Sequence, residues 1–192
     1  MSSADHRSDP ARFLLDKEDV QLLVVDVQER LVPAMPERDG TVANIGHLLE
    51  LARLLDLPVT ITEQNPRGLG GTIEAIASAA GEFEPLDKIT FSCLDTEAIA
   101  ARLRSAGRGT IVVVGMEAHI CIYQTCLDLI ARGCSVHVVR DAVCSRKSVD
   151  KETAVDNIRA AGAVVTTTET VIFQLLRCAG TPEFRAMSKR IK

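Results

Sequence analysis

Tryptophan is absent from this 192-residue sequence, and one tyrosine and five phenylalanines bring the aromatic share to only 3%. A chain so poor in rings offers no platform for stacking bases. Positive charge is not in excess either: 22 Lys and Arg stand against 26 Asp and Glu, a formal charge of −4. The electrostatic footprint of a nucleic-acid binder is therefore missing, and nothing draws the chain broadly to an anionic membrane. No apolar run reaches the roughly 18 residues that read as a bilayer span. The opening MSSADHRSDP has no apolar core, so no secretory leader is expected and the chain is read as cytoplasmic.

Disulfide and metal signatures are scarce as well. The six cysteines, Cys93, Cys121, Cys126, Cys134, Cys144 and Cys178, include no CxxC pair. They read as free thiols, mostly buried, in a reducing compartment. HExxH, zinc-ribbon and EF-hand spacings are missing, so neither a metal nor a cofactor is expected. His119 and Cys121 are two apart, which on a helix sends their side chains in different directions. His47 falls on a helix, His137 inside a strand and His6 in the polar arm. GLGG at 68–71 is not a GxGxxG fingerprint, and there is no GxSxG elbow.

What the sequence does have is a core. Apolar residues make up 46% and charged residues 25%, ordinary for a globular domain. Near-continuous apolar runs at 20–28 and 110–115 predict strands covered on both faces. Shorter strands are expected at 59–62, 86–90, 135–139 and 163–166. Helical spacing or helix-compatible stretches fall at 41–56, 72–80, 96–105, 119–132, 149–161 and 168–176, with loops at 63–71 and 141–148. This alternation predicts an α/β fold: a three-layer α/β/α sandwich with a six-stranded, mostly parallel, Rossmann-like sheet. Residues 1–17 are expected to form an arm, 18–180 the domain and 181–192 a solvated tail.

In such a sheet, ligands bind beyond the carboxyl ends of the strands, where the strand order reverses. That rule selects polar residues just after each strand: Asp26, Gln28 and Arg30; Glu63, Gln64, Asn65 and Arg67; Asp87, Lys88, Thr90 and Ser92; Glu117, His119 and Cys121; Asp141, Cys144 and Arg146. Asp26 is bracketed by apolar residues and is either a proton acceptor or a turn-fixing carboxylate. Cys121 starts a helix, where free N–H groups favour a thiolate, although a buried structural thiol is the commoner role for a cysteine. Cys93 and Cys144 stay open as alternatives. Lys88, next to Asp87, reads on spacing alone as a surface lysine.

The segments LLVVDVQERLVPAM, TEQNPRGLG, DKITFS, VVVGMEAHICIYQTCLDL and VVRDAVCSR occur in this order. Together they resemble the isochorismatase-like cysteine hydrolases, over about residues 18–177. Within that superfamily the chain looks most like the isochorismatase-domain-containing proteins, whose substrates are mostly unassigned. The resemblance implies an Asp26–Lys88–Cys121 triad and a cis peptide between Met116 and Glu117. It also implies an oxyanion hole from the backbone N–H groups of Glu117 and Cys121. A pocket of Glu63, Gln64, Phe91, Met116, His119 and Ile122 would surround them.

The implied function is hydrolysis of a small-molecule amide at its C–N bond. An isochorismatase-type vinyl ether hydrolase, or a non-catalytic scaffold of the same fold, is the alternative. The metal-binding histidines of nicotinamidases have no counterpart in TEQNPRGLGG. The expected partners are a small-molecule substrate and further copies of the chain, as a dimer or tetramer, with no nucleic acid and no membrane.

Overall fold

The structure is a computed structural model and describes residues 9–192. The start of the arm, His6 included, lies outside the described residues. Six strands form one sheet: β1 (Val20–Val25), β2 (Val59–Gln64), β3 (Leu86–Lys88), β4 (Thr110–Met116), β5 (Ser135–Cys144) and β6 (Val164–Thr166). Their order is β3-β2-β1-β4-β5-β6 and every pairing is parallel. The two central strands are the two continuous apolar runs, and every residue of both is buried.

Alternate residues of the sheet feed two separate cores, as the strand period of two requires. Leu22, Val24, Val112 and Val114 pack beneath α1 (Arg38–Leu55), α3 (Glu74–Ala80), α7 (Thr168–Leu176) and α8 (Pro182–Arg190). Leu23, Val25, Ile111 and Val113 pack beneath α4 (Glu97–Ser105), α5 (Tyr123–Ala131) and α6 (Ser148–Ala161). The result is the three-layer sandwich. Its topological switch lies between β1 and β4, because the chain builds outward from β1 through β2 and β3 and then crosses to β4.

Several segments depart from the sequence-based expectation. The 63–71 stretch is not all loop: β2 continues through Gln64, which pairs with Lys88, and α2 (Pro66–Leu69) forms a single helical turn. β5 runs on to Cys144 through the 141–148 stretch. Exposed Arg140 and Asp141 interrupt its apolar run, but the ladder resumes with Val143 opposite Gly115. The tail carries α8, whose Met187 is fully buried in the core beneath α1. Thr181 Oγ1 accepts from the Phe184 N–H at 3.1 Å and Pro182 follows it, so the helix start was written in the sequence despite the basic composition.

At Gly115 the backbone of β4 leaves no room for a side chain against β1. The glycine has a φ of +120°, and a Cβ there would sit 2.0 Å from the Val25 carbonyl oxygen. Only glycine fits this position, one residue before Asp26 across the sheet.

Candidate active site

Asp26 follows β1 with a left-handed φ of 55°, a conformation that aspartate tolerates better than most residues. Its N–H donates to the Thr62 carbonyl at 3.1 Å. Its carboxylate is fully enclosed: Oδ1 accepts from Thr62 Oγ1 at 2.8 Å, and Oδ2 accepts from Lys88 Nζ at 2.6 Å. Lys88 ends β3 and is not a surface residue, since neither its side chain nor that of Asp26 has any exposure. Spacing could not reveal this, because Lys88 is carried inward by pairing with Gln64 rather than by a local apolar pattern.

Lys88 Nζ also donates to Gln64 Oε1 at 2.7 Å. Burial pulls the ammonium down, but the Asp26 carboxylate and the neighbouring thiols outweigh it and hold Lys88 above its ordinary value.

Cys121 lies in a π-helical turn, Ala118–Ile122, that joins β4 to α5. The thiol is 6% exposed and points at Gln64 Oε1, 4.0 Å away. Lys88 and Cys121 thus share one acceptor. Helix position alone predicts a thiolate, yet burial and then the Asp26 charge push the Cys121 thiol far upward, against the pull of Lys88. The thiol thus lies beside a carboxylate whose charge disfavours its ionisation. The other interior thiols are also held protonated. Cys93, whose Sγ is 4.0 Å from Thr62 Oγ1, and Cys144 are each pushed up to about 11, mainly by burial.

The surrounding residues divide by role. Gln64 is fixed by Gln28, whose Oε1 accepts from the Gln64 N–H at 2.8 Å. Gln28 Nε2 in turn donates to the Gln64 carbonyl at 3.0 Å and the Gly70 carbonyl at 2.6 Å. Glu63 points away from this group and accepts from Thr72 N and Oγ1 at 2.6 and 2.7 Å. Glu117 accepts from the backbone N–H and the Nε of Arg146, both at 3.0 Å. His119 Nδ1 is 3.0 Å from Ser145 Oγ.

Met116 and Ile122 are fully buried, in the two opposite cores, while Phe91 is half exposed. The Met116–Glu117 peptide is cis. A cleft of about 640 Å³ lined by Pro66, Arg67, Lys88 and Thr90 lies on the neighbouring surface, and neither Asp26 nor Cys121 lines it. No three of His, Cys, Asp and Glu gather to hold a metal ion among the described residues. Sequence reasoning passed over Thr62. The available signal was its place two residues before Gln64, on the same face of β2.

The sheet is doubly wound and parallel, and Asp26, Lys88 and Cys121 gather at its switch point. Residues 20–170 match the isochorismatase domain, and the chain belongs to that family of isochorismatase-like hydrolases. It is 39% identical over 168 residues to isochorismatase domain-containing protein 1 of Salmo salar, covering 87% of this chain but 59% of that protein. The chain thus spans less than two thirds of that relative. It is 37% identical over 169 residues to isochorismatase domain-containing protein 2 of Danio rerio, covering 88% of this chain and 84% of that protein. The structure of the MAR1 ribonuclease from Caenorhabditis elegans superposes with a TM-score of 0.86 at 34% identity, covering 93% and 92% of the two chains. No described helix is long and apolar enough to cross a membrane.

Proposed function

We propose that this protein hydrolyses the C–N bond of a small-molecule amide with Asp26, Lys88 and Cys121. The observation that carries the reading is the sharing of Gln64 Oε1 by Lys88 Nζ and Cys121 Sγ, at 2.7 and 4.0 Å, while Lys88 also holds Asp26 at 2.6 Å. Cys121 Sγ attacks the amide carbon as its proton passes to Asp26. The oxygen takes up the electron pair facing the backbone N–H groups of Glu117 and Cys121. Collapse expels the amine, which takes the proton from Asp26 and leaves a thioester on Cys121. Water then gives a proton to Asp26 and attacks the thioester. The acid departs, and the proton returns to the sulfur.

Lys88 stays charged throughout. It holds Asp26 in place and stabilises negative charge on sulfur during attack. Gln28 and Thr62 keep the acceptors in position. Gln64, His119 and Phe91 border the substrate, and Glu63, Met116 and Ile122 back the site.

The test is a panel of small amides, with one RNA included, assayed for ammonia, acid or strand cleavage. Cys121→Ala is expected to lower amide turnover by at least about a thousandfold. A vinyl ether is assayed beside the panel, and its turnover, surviving Cys121→Ala and failing in Asp26→Asn, would replace the reading with ether hydrolysis. RNA cleavage that depends on Cys121 would replace the small-molecule substrate class.

A further inference from the structure

Gln64 is held more firmly than a residue that only borders a substrate needs to be. Its backbone N–H and carbonyl are both bound to the Gln28 side chain, at 2.8 and 3.0 Å. Its own carboxamide is fixed as well. Nε2 donates to the Ile89 carbonyl at 2.7 Å, and Oε1 accepts from Lys88 Nζ at 2.7 Å, so the oxygen is the end that faces the ammonium. An amide oxygen accepts twice. The second donor is the Cys121 thiol, with Sγ at 4.0 Å.

This arrangement acts on the sulfur in two ways. A hydrogen bond given by the thiol favours its protonated form. The ammonium is also drawn aside. Lys88 Nζ has three N–H donors, and three oxygens stand around it: Asp26 Oδ2 at 2.6 Å, Gln64 Oε1 at 2.7 Å and the Thr90 carbonyl at 3.5 Å. A donor spent on Gln64 is one withheld from Cys121. The charges that bear on the thiol are Asp26, from the end of β1, which raises it, and Lys88, from β3, which lowers it. Cys93, from the loop after β3, faces Thr62. On the turn of Cys121 itself, Glu117 is engaged by Arg146 and His119 by Ser145.

We propose that Gln64 is a positioning residue that restrains Cys121: its Oε1 takes the thiol hydrogen bond and diverts Lys88 from the sulfur, so that attack waits for Asp26 to remove the proton. The inference rests on the reading of Cys121 as the nucleophile and adds to it a group that opposes Lys88. In Gln64→Met the thiol loses its acceptor, and one Lys88 donor is free to turn to the sulfur. In Gln64→Glu, of nearly the same shape, a carboxylate faces the thiol and opposes its ionisation.

The full chain is alkylated with iodoacetamide at about pH 8, each cysteine being followed by mass spectrometry with exposed Cys178 as the reference thiol. Gln64→Met is expected to speed Cys121 about tenfold relative to Cys178, and Gln64→Glu to slow it about fivefold. Opposite signs separate ionisation from access, and Gln64→Glu keeps the test decisive if Gln64→Met fails to fold. Cys121 rates within about twofold of the parent in both variants, or a change of the same sign in both, overturn the inference and leave the hydrolase reading standing. A Cys121 that stays unlabelled in the parent and in Gln64→Met while Cys178 reacts overturns both.

Discussion

Two buried carboxylates sit side by side at the carboxyl ends of the central strands, and they are neutralised in different ways. Asp26, after β1, meets Lys88, and neither side chain has any exposure. Glu117, after β4, meets Arg146, whose side chain is 57% exposed while that of Glu117 is 5% exposed. Arg146 keeps its hydration, and the pair works as a clasp between the 145–147 segment and the end of β4. Lys88 has given its hydration up, and an enclosed ion pair recovers that loss only through close geometry and further hydrogen bonds. Thr62 and Gln64 supply those bonds. A stable fold does not need this arrangement, since apolar residues would fill the same space at no greater cost. What it secures is a fixed ammonium and a fixed carboxylate beside a sulfur.

The sharpest way to break this contrast is Lys88→Met, which leaves the Asp26 charge enclosed without its counter-ion. A loss of about 3–5 kcal/mol in urea unfolding is expected. A loss below about 1 kcal/mol would mean that the two side chains do not act as an enclosed ion pair. Thr62→Val keeps the shape and removes the donor to Asp26 Oδ1. It should cost about 1–3 kcal/mol and lower turnover without unfolding the chain. At the clasp, Arg146→Ala is expected to change stability by less than about 1 kcal/mol, because most of its charge is already in water and its backbone N–H still reaches Glu117. Equal effects at Lys88 and Arg146 would erase the distinction between the two pairs.

Alkaline pH tests the same interior through its protons. Cys93 and Cys144 ionise at about 11 in the folded protein but near pH 8.5 when unfolded. Between these values the folded form holds more protons, so stability falls as pH rises. Lys88 is raised in the folded state, so its contribution is complete below about pH 10.4 and is lost only as pH climbs through its folded value. The urea midpoint is therefore expected to stay level from pH 7 to 8 and to decline above about 8.5. The decline should be shallower in Cys144→Ala than in the parent protein.

Much of the architecture was legible because it is written in hydropathy. The continuous apolar runs of β1 and β4 could only be central strands, and the glycines after α3, α4, α5 and α6 ended helices where expected. Asp26 and Cys121 were among the residues that the strand-end rule selects, and the structure places them just beyond the carboxyl ends of β1 and β4. The enclosure of Lys88 was not legible, because its inward course depends on pairing between β2 and β3, which no local pattern records. The ends of β2 and β5 were hidden for a related reason. Polar residues near the crevice continue the ladder where composition suggests a loop. The upward push on the Cys121 thiol was not legible from its place at a helix start, because burial and then the Asp26 charge come from tertiary packing.

At Gly115 the structure uses a residue with no side chain to set a spacing. Asp26 and the turn bearing Cys121 hang from two strands whose backbones touch there, so any larger residue would wedge the acid and the sulfur apart from behind. This hidden hinge-pin between the strands has to be left alone.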